Sequence, residues 1–156
     1  LGRAAAVPAP AGVSIWLLAN LSVGEVSLLA HCAGFLDPFG RLLGLDGAIL
    51  LAFVLGFPAN EIVLPILIMT YTAGGTLTEL GLPALQGLLL QNGWTGVTAA
   101  CMVLFSLFHW PCSTTCLTVW KETGSRRYTA LAILLPTLLG MTLCFLTNVL
   151  ARFCGI

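Results

Sequence analysis

The residue types best suited to bind a transition metal lie close together between residues 109 and 118. In the helix that this apolar stretch predicts, His109, Cys112 and Cys116 are spaced i, i+3 and i+7 and share one face. Imidazole and thiolate bind divalent iron and zinc, and the carbonyl that Pro111 leaves without a helical hydrogen bond adds an oxygen ligand. We predict a kinked helix whose face contacts a metal ion in transit. The alternative is that the cysteines pack between helices and that the His109 ring makes its hydrogen bonds within the protein.

A second constellation, GFPANE, occupies residues 56–61. It separates two apolar runs, 48–57 and 62–73, and each is shorter than the roughly 20 residues that cross a membrane. Paired short segments around a Gly/Pro break are typical of discontinuous membrane helices. Here Gly56 and Pro58 supply the break.

The break also places polar groups where an ion could pass. Carbonyls at the end of the first half-helix, around residues 53–56, lose their helical partners and can coordinate a cation. Asn60 is predicted to cap the second half-helix, and Glu61 lies near its positive end. A carboxylate at membrane depth is costly, which favours a functional role over a solvated hairpin at the membrane surface.

The composition places these motifs in a membrane protein. Of 156 residues, 58% are hydrophobic and 8% are charged, against about 25% charged in soluble domains. The net charge is zero, so no basic surface is available for nucleic acid. The chain carries no GxxxxGK[ST] loop and does not begin with methionine. We therefore expect a segment of a longer protein, with any nucleotide bound elsewhere.

Two stretches, 95–120 and 128–151, are long enough to span the bilayer, and a short basic turn at 121–127 joins them. Four residues of the last helix share a stripe that we predict to face the bundle, with helix packing favoured over ion contact. These residues are Thr137, Met141, Cys144 and Asn148, with Gly140 beside them.

The rest of the chain consists of shorter segments. Residues 11–36 predict two helices separated by a break, with Ser22 and Glu25 as a capping box, and residues 37–47 predict a polar turn. Residues 74–93 predict a loop with one short amphipathic helix. We expect an all-α polytopic membrane protein with broken or re-entrant helices. Its predicted segments are 1–46 (N-terminal membrane and interfacial helices), 47–93 (gate-type broken pair and loop) and 94–156 (two-helix transmembrane hairpin).

Several segments resemble the membrane portion of the ferrous iron transport protein B (FeoB) family. The most specific are GFPANEIVLPILIMTY and LFHWPCSTTCLTVWKETGS. WLLAN, LLAHCAGFLDPFGRLLGLDG and NGWT fit the same family in the same order. The resemblance covers nearly the whole chain and corresponds to the second gate segment and the C-terminal helices.

The resemblance implies uptake of Fe²⁺ across the bacterial inner membrane, driven by an N-terminal GTPase domain. It assigns the GFPANE segment, with Gly56, Pro58, Asn60 and Glu61, to the gate and ion pathway, and Cys112 and Cys116 to the iron path. The spacing on the predicted helix adds His109 as a further metal ligand. The expected partners are the lipid bilayer, the G domain and the first gate half; a homo-oligomer is left open. Fe²⁺ is expected as the transported ion, with no permanently bound cofactor.

Two other functions compete with iron transport. The chain could be a structural and oligomerisation module in which the polar residues serve helix packing. Gate analogy alone also allows a small-solute, nucleoside-like carrier, which has no use for the His109, Cys112 and Cys116 stripe. An enzyme is not expected, because no orienting carboxylate or oxyanion donors can be assigned from the sequence.

Overall fold

The computed structural model describes residues 8–23, 26–72 and 80–155. Within them the α-helices are α1 (Pro8–Asn20), α2 (Leu28–Leu42), α3 (Gly47–Leu55), α4 (Val63–Thr72), α5 (Leu82–Gln91), α6 (Gly96–Phe108), α7 (Ser113–Thr123) and α8 (Arg126–Cys154). A small antiparallel hairpin pairs β1 (Ser22–Val23) with β2 (Val26–Ser27), and a 3-10 helix (Asn60–Ile62) precedes α4. The predicted all-α class is confirmed.

Within the described residues, two segments are long and apolar enough to cross a membrane by length and composition: Gly96–Thr123, which comprises α6 and α7, and Arg126–Cys154, which is α8. Helices α2 and α3 would form a third span if they are counted as one, although they are bent by 110°. The predicted membrane protein with broken helices is therefore confirmed. The turn between the spans closes at Gly124, whose φ of +61° suits glycine.

The two short helices α3 and α4 lie at the centre of the bundle. Ile49 and Ala52 of α3 and Ile66 and Leu67 of α4 are fully buried. A helix that is apolar on all sides requires burial on all sides. The two half-helices predicted around residues 56–61 are thus the core, and the longer helices pack around them.

The bend between α2 and α3 depends on close backbone contact at Gly47. A Cβ atom there would lie 1.9 Å from the carbonyl oxygen of Ala33 and 2.7 Å from the amide nitrogen of Asp37. The Gly47 amide donates to Asp37 Oδ1 at 3.2 Å. Glycine therefore allows the start of α3 to dock directly on α2.

Side chains from three elements fix the start of α3. Asp46 caps the helix by accepting from the Ile49 amide at 2.7 Å. The Tyr71 hydroxyl donates to the same carboxylate, and Trp94 Nε1 donates to the Tyr71 oxygen at 2.8 Å. The Tyr71 hydroxyl therefore links the cap residue of α3 to Trp94, just before α6.

Two sequence predictions near α2 are wrong. Ser22 lies in β1, and the cap of α2 is Ser27, which accepts from the Ala30 amide at 3.3 Å; Glu25 lies outside the described residues. The predicted turn at 37–47 is mostly helix, because α2 continues through Pro38 to Leu42. The Asp37–Arg41 ion pair at 2.6 Å and the packing of α3 stabilise this extra turn against its local turn propensity.

The predicted short helix before the first long span is confirmed as α5. Pro83 lies in its first turn, and it ends at Asn92 and Gly93, where φ is +79°. Residues 73–79 of the preceding loop lie outside the described residues. The three-segment division of the chain stays a prediction.

Candidate functional site

The first break is where the sequence places it. Helix α3 ends at Leu55, and a Cβ atom on Gly56 would lie 2.4 Å from Val63 Cγ2, so only glycine lets α4 return this closely. The chain turns through Pro58 before the 3-10 helix begins at Asn60. We call residues 56–61 the gate loop.

The polar residues of the gate loop lie at the start of the second half-helix. Asn60 and Glu61 are both exposed, and Glu61 is in the first turn of the 3-10 helix. The prediction that Asn60 caps this half-helix is wrong. The cap position is Ala59, and no side-chain cap bond forms there, because Asn60 is already inside the 3-10 turn.

The carbonyls at the end of α3 are taken up mainly by local turns. Val54 accepts from the Phe57 amide at 3.3 Å, and Gly56 accepts from the Ala59 amide at 3.0 Å. The carbonyls of Phe57 and Pro58 instead accept bonds from another part of the chain. The carbonyls that bond a distant part of the chain are therefore those of Phe57 and Pro58, just after the predicted residues 53–56.

A second break interrupts the first long span. Helix α6 ends at Phe108, His109 is extended (φ −73°, ψ 176°), and α7 begins at Ser113. The predicted continuous, kinked helix is wrong, and with it the helical stripe of His109, Cys112 and Cys116. Pro111 supplies no amide hydrogen and disfavours the helical conformation at Trp110, so a full break forms.

The two breaks meet at Ser113. Its amide donates to the Phe57 carbonyl at 2.9 Å, and its hydroxyl donates to the Pro58 carbonyl at 3.4 Å. One residue at the start of α7 thus satisfies both of these gate-loop carbonyls. We call this contact the break junction.

The two thiols predicted for the iron path lie beside the break junction. Cys112 is the residue immediately before α7, and its Sγ lies 3.1 Å from Thr114 Oγ1 and 3.2 Å from Thr115 Oγ1. Cys116 Sγ donates to the Pro111 carbonyl at 3.4 Å. Both cysteine side chains are partly exposed. Thiol, hydroxyl and carbonyl groups are therefore concentrated where the span is interrupted.

His109, in the second break, packs against α3 and α6. Its Nδ1 bonds the Ser106 carbonyl at 2.9 Å, and its ring packs on Phe53 with a centroid distance of 4.9 Å. Because a carbonyl only accepts, Nδ1 carries the hydrogen and the neutral ring keeps a lone pair on Nε2. His109 Nε2 and Trp110 Nε1 are buried and have no partner among the described residues.

The structure does not gather these residues into a preformed metal centre. Across residues 8–23, 26–72 and 80–155, no group of three or more His, Cys, Asp or Glu side chains is arranged to hold a metal ion. The arrangement instead offers scattered soft and oxygen donors around two facing helix breaks.

The predicted inward stripe of the last helix is buried at Cys144 and Asn148, whereas Thr137 and Met141 are half-buried. Gly140, Cys144 and Asn148 are buried in α8. Cys144 Sγ donates to the Cys101 carbonyl at 3.2 Å, and Cys101 Sγ lies 3.7 Å from the Cys144 carbonyl. No sequence signal indicates this reciprocal pairing, because Cys101 shares no motif with the last helix.

The fold and this site define a polytopic helical membrane protein built around interrupted helices. Residues 2–126 match the family model Gate, described as nucleoside recognition, and the chain belongs to that family. It is 29% identical over 144 residues to the protein named Fe(2+) transporter FeoB from Staphylococcus aureus strains MSSA476, MW2 and COL. The predicted resemblance to the FeoB membrane region is confirmed.

These alignments cover 86% of this chain and 20% of each relative. The chain therefore spans about a fifth of the length of the relatives that it matches. No solved structure matches it significantly. With its apolar spans and these bacterial relatives, the chain is a bacterial membrane protein.

Proposed function

We propose that this chain is the membrane translocation segment of a GTP-dependent Fe²⁺ uptake transporter in the bacterial inner (plasma) membrane. The observation that carries the proposal is the break junction, where Ser113 bonds the gate-loop carbonyls of Phe57 and Pro58. It joins the gate loop directly to the segment that bears the two thiols. The name of the Staphylococcus relatives supports Fe²⁺ as the ion.

The chemistry proposed is exchange of ligands, with no covalent bond made or broken. A hydrated Fe²⁺ ion needs groups that replace its water, and thiolate, carbonyl and imidazole groups all do so. An ion at the break junction competes with Ser113 for the Phe57 and Pro58 carbonyls. Cys112 and Cys116 offer sulfur ligands beside these carbonyls, and Glu61 offers a carboxylate at the end of the gate loop. Release of Ser113 then couples arrival of the ion to movement of the gate loop.

In this mechanism His109 is a metal ligand that becomes available only when the second break opens. Its Nδ1 hydrogen bond to the Ser106 carbonyl orients the ring and leaves Nε2 unprotonated. Metal-binding histidines commonly carry such a bond on the other ring nitrogen. Because Nε2 is buried against the protein, the ring contacts an ion only when the second break opens.

The rest of the transporter supplies what this chain lacks. We propose that a G domain and a first gate half, in the same polypeptide or another, complete the translocation path. This chain carries no phosphate-binding loop and acts as a transporter segment, not as an enzyme. Its other partner is the lipid bilayer, and no permanently bound cofactor is needed.

Anaerobic uptake of radioactive Fe²⁺ tests the proposal in cells that produce the full transporter containing this segment. Cys112→Ser and Cys116→Ser are each expected to lower uptake about tenfold or more, because loss of a supporting group at a metal site commonly costs roughly 10- to 100-fold. Cys154→Ser, at an exposed position, is the matched control and should retain uptake. Membrane abundance of each variant is measured by immunoblot.

Unchanged uptake in both serine variants would support the structural and oligomerisation module instead. The family description, nucleoside recognition, favours one further candidate, a nucleoside-like carrier. Uptake of radiolabelled uridine by the same cells distinguishes it, because the iron proposal predicts none above background.

A further inference from the structure

A basic cavity lies at the opposite end of the long spans from the 121–127 turn. Its volume is about 260 Å³, and it is formed where the end of α2, the start of α6 and the end of α8 meet. Arg41 and Arg152 both line it, and none of the described residues that line it is acidic. Both arginines are exposed, and the Arg41 side chain is 74% exposed, so their guanidinium groups are open to an anion that enters the cavity.

The arginines retain donors for such an anion. Arg41 bonds Asp37 through Nε at 2.6 Å, and this pair leaves the Nη nitrogens of the guanidinium fork for a second partner. Arg152 approaches from the last turns of α8, more than a hundred residues away in sequence. The cavity therefore combines two forked cations that only the tertiary fold brings together.

Hydroxyl groups complete the donor set. Thr95 and Thr98 line the cavity, and their oxygens are 3.2 Å apart. Only one of their two hydroxyl hydrogens lies between these oxygens, so the other is available to a ligand. Guanidinium forks and hydroxyls together are the groups that proteins use to bind phosphate oxygens.

We propose that this cavity binds a phosphate group, carried either by the headgroup of an anionic lipid or by free phosphate. The cavity lies at the ends of membrane-spanning helices, at the level where headgroups reside. A phosphate there links the end of α2 to α6 and α8. It acts beside Asn148, whose Nδ2 already donates to the Arg41 and Leu42 carbonyls at 3.0 and 3.1 Å. The ligand thus stabilises the packing of the bent α2–α3 pair against the two long spans.

Calorimetric titration of the purified protein in an uncharged detergent tests this site. The probes are a short-chain phosphatidylglycerol, the phosphatidylcholine of equal chain length, and inorganic phosphate. Phosphatidylglycerol is expected to bind saturably. Arg152→Gln is expected to weaken its affinity about fivefold, because one arginine near an anionic headgroup contributes about 1 kcal/mol. Arg127→Gln, at the opposite end of α8, is the matched control and should change affinity less than about twofold.

Binding of inorganic phosphate that competes with phosphatidylglycerol would identify phosphate itself as the ligand. Binding of phosphatidylglycerol alone would identify the lipid as its source. Equal binding of phosphatidylglycerol and phosphatidylcholine, or equal losses for the two glutamine variants, would overturn the proposal. Arg152→Lys keeps the charge and should retain part of the affinity, which separates loss of the site from loss of the fold.

Discussion

A methyl group at position 47 would collide with the backbone of α2. Placed on the Gly47 backbone, the Cβ of Gly47→Ala lies 1.9 Å from the Ala33 carbonyl oxygen and 2.7 Å from the Asp37 nitrogen. Ordinary contact begins near 3.4 Å. Because both atoms belong to a helix backbone, they cannot rotate away as a side chain would.

Helix α3 must therefore move away from α2 by roughly 1.5 Å, which opens contacts along the 110° bend. The movement also stretches the hydrogen bond from the Gly47 amide to Asp37, now 3.2 Å. Overpacking of a close contact costs about 1 to 3 kcal/mol, and the rigid partner places this case at about 3 kcal/mol. In a chain of this size that lowers the melting temperature by about 6 to 12 °C.

Thermal unfolding in detergent, followed by tryptophan fluorescence, measures this change. The control is Gly34→Ala on α2, where an added Cβ has no atom within 4 Å. Gly34→Ala should be neutral or slightly stabilising, because alanine favours helix over glycine. If Gly47→Ala melts within about 2 °C of Gly34→Ala, α3 does not dock on the α2 backbone at this distance.

Two other predictions concern the packing of α8. Asn148→Leu removes both hydrogen bonds to the carbonyls at the end of α2 and should cost about 1 to 3 kcal/mol, measured as a lower melting temperature; an unchanged value would contradict this capping role. Cys101 and Cys144 are fully buried and Cys154 is exposed, so maleimide should label Cys154 in the folded protein and the buried pair only after unfolding. Peptide mass spectrometry measures the labelling, and early modification of Cys101 would contradict the packing.

Local signals in the sequence are sufficient to predict several elements. The gate-loop break follows from Gly56 and Pro58 between two short apolar runs, and helix α5 follows from Pro83 and the Asn92–Gly93 end. The two long spans follow from apolar length alone. In each case the determining residues are neighbours in the chain, so no tertiary contact has to be known.

Other features depend on contacts between distant residues. Pro111 indicates that a helix is disturbed, but the full break also involves the Phe57 carbonyl, which accepts from the Ser113 amide. Helix α2 continues through Pro38 because α3 packs against it. A single sequence without the fold cannot show either partner, and the pairing of Cys101 with Cys144 is hidden for the same reason.

In the candidate site, too, some features follow from neighbouring residues and others from contacts between distant residues. The sequence identifies the gate loop and the two thiols separately, and it places His109 on the face of the thiols only if the helix is unbroken. The structure keeps the thiols beside the gate loop and directs His109 toward Phe53. Ser113, which joins the two breaks, cannot be recognised from the sequence, because a serine among threonines and cysteines carries no signal of its own.

An anaerobic Fe²⁺ titration of the purified full transporter, with Mg²⁺ and Zn²⁺ as competitors, determines whether the thiols beside the break junction contact the ion. Wild type and Cys154→Ser are compared with the paired substitutions Cys112→Ser and Cys116→Ser. We expect saturable Fe²⁺ binding that Mg²⁺ does not displace and that the paired serine substitutions abolish. Saturable binding of equal affinity in the paired serine variant would show that the ion path does not use these thiols.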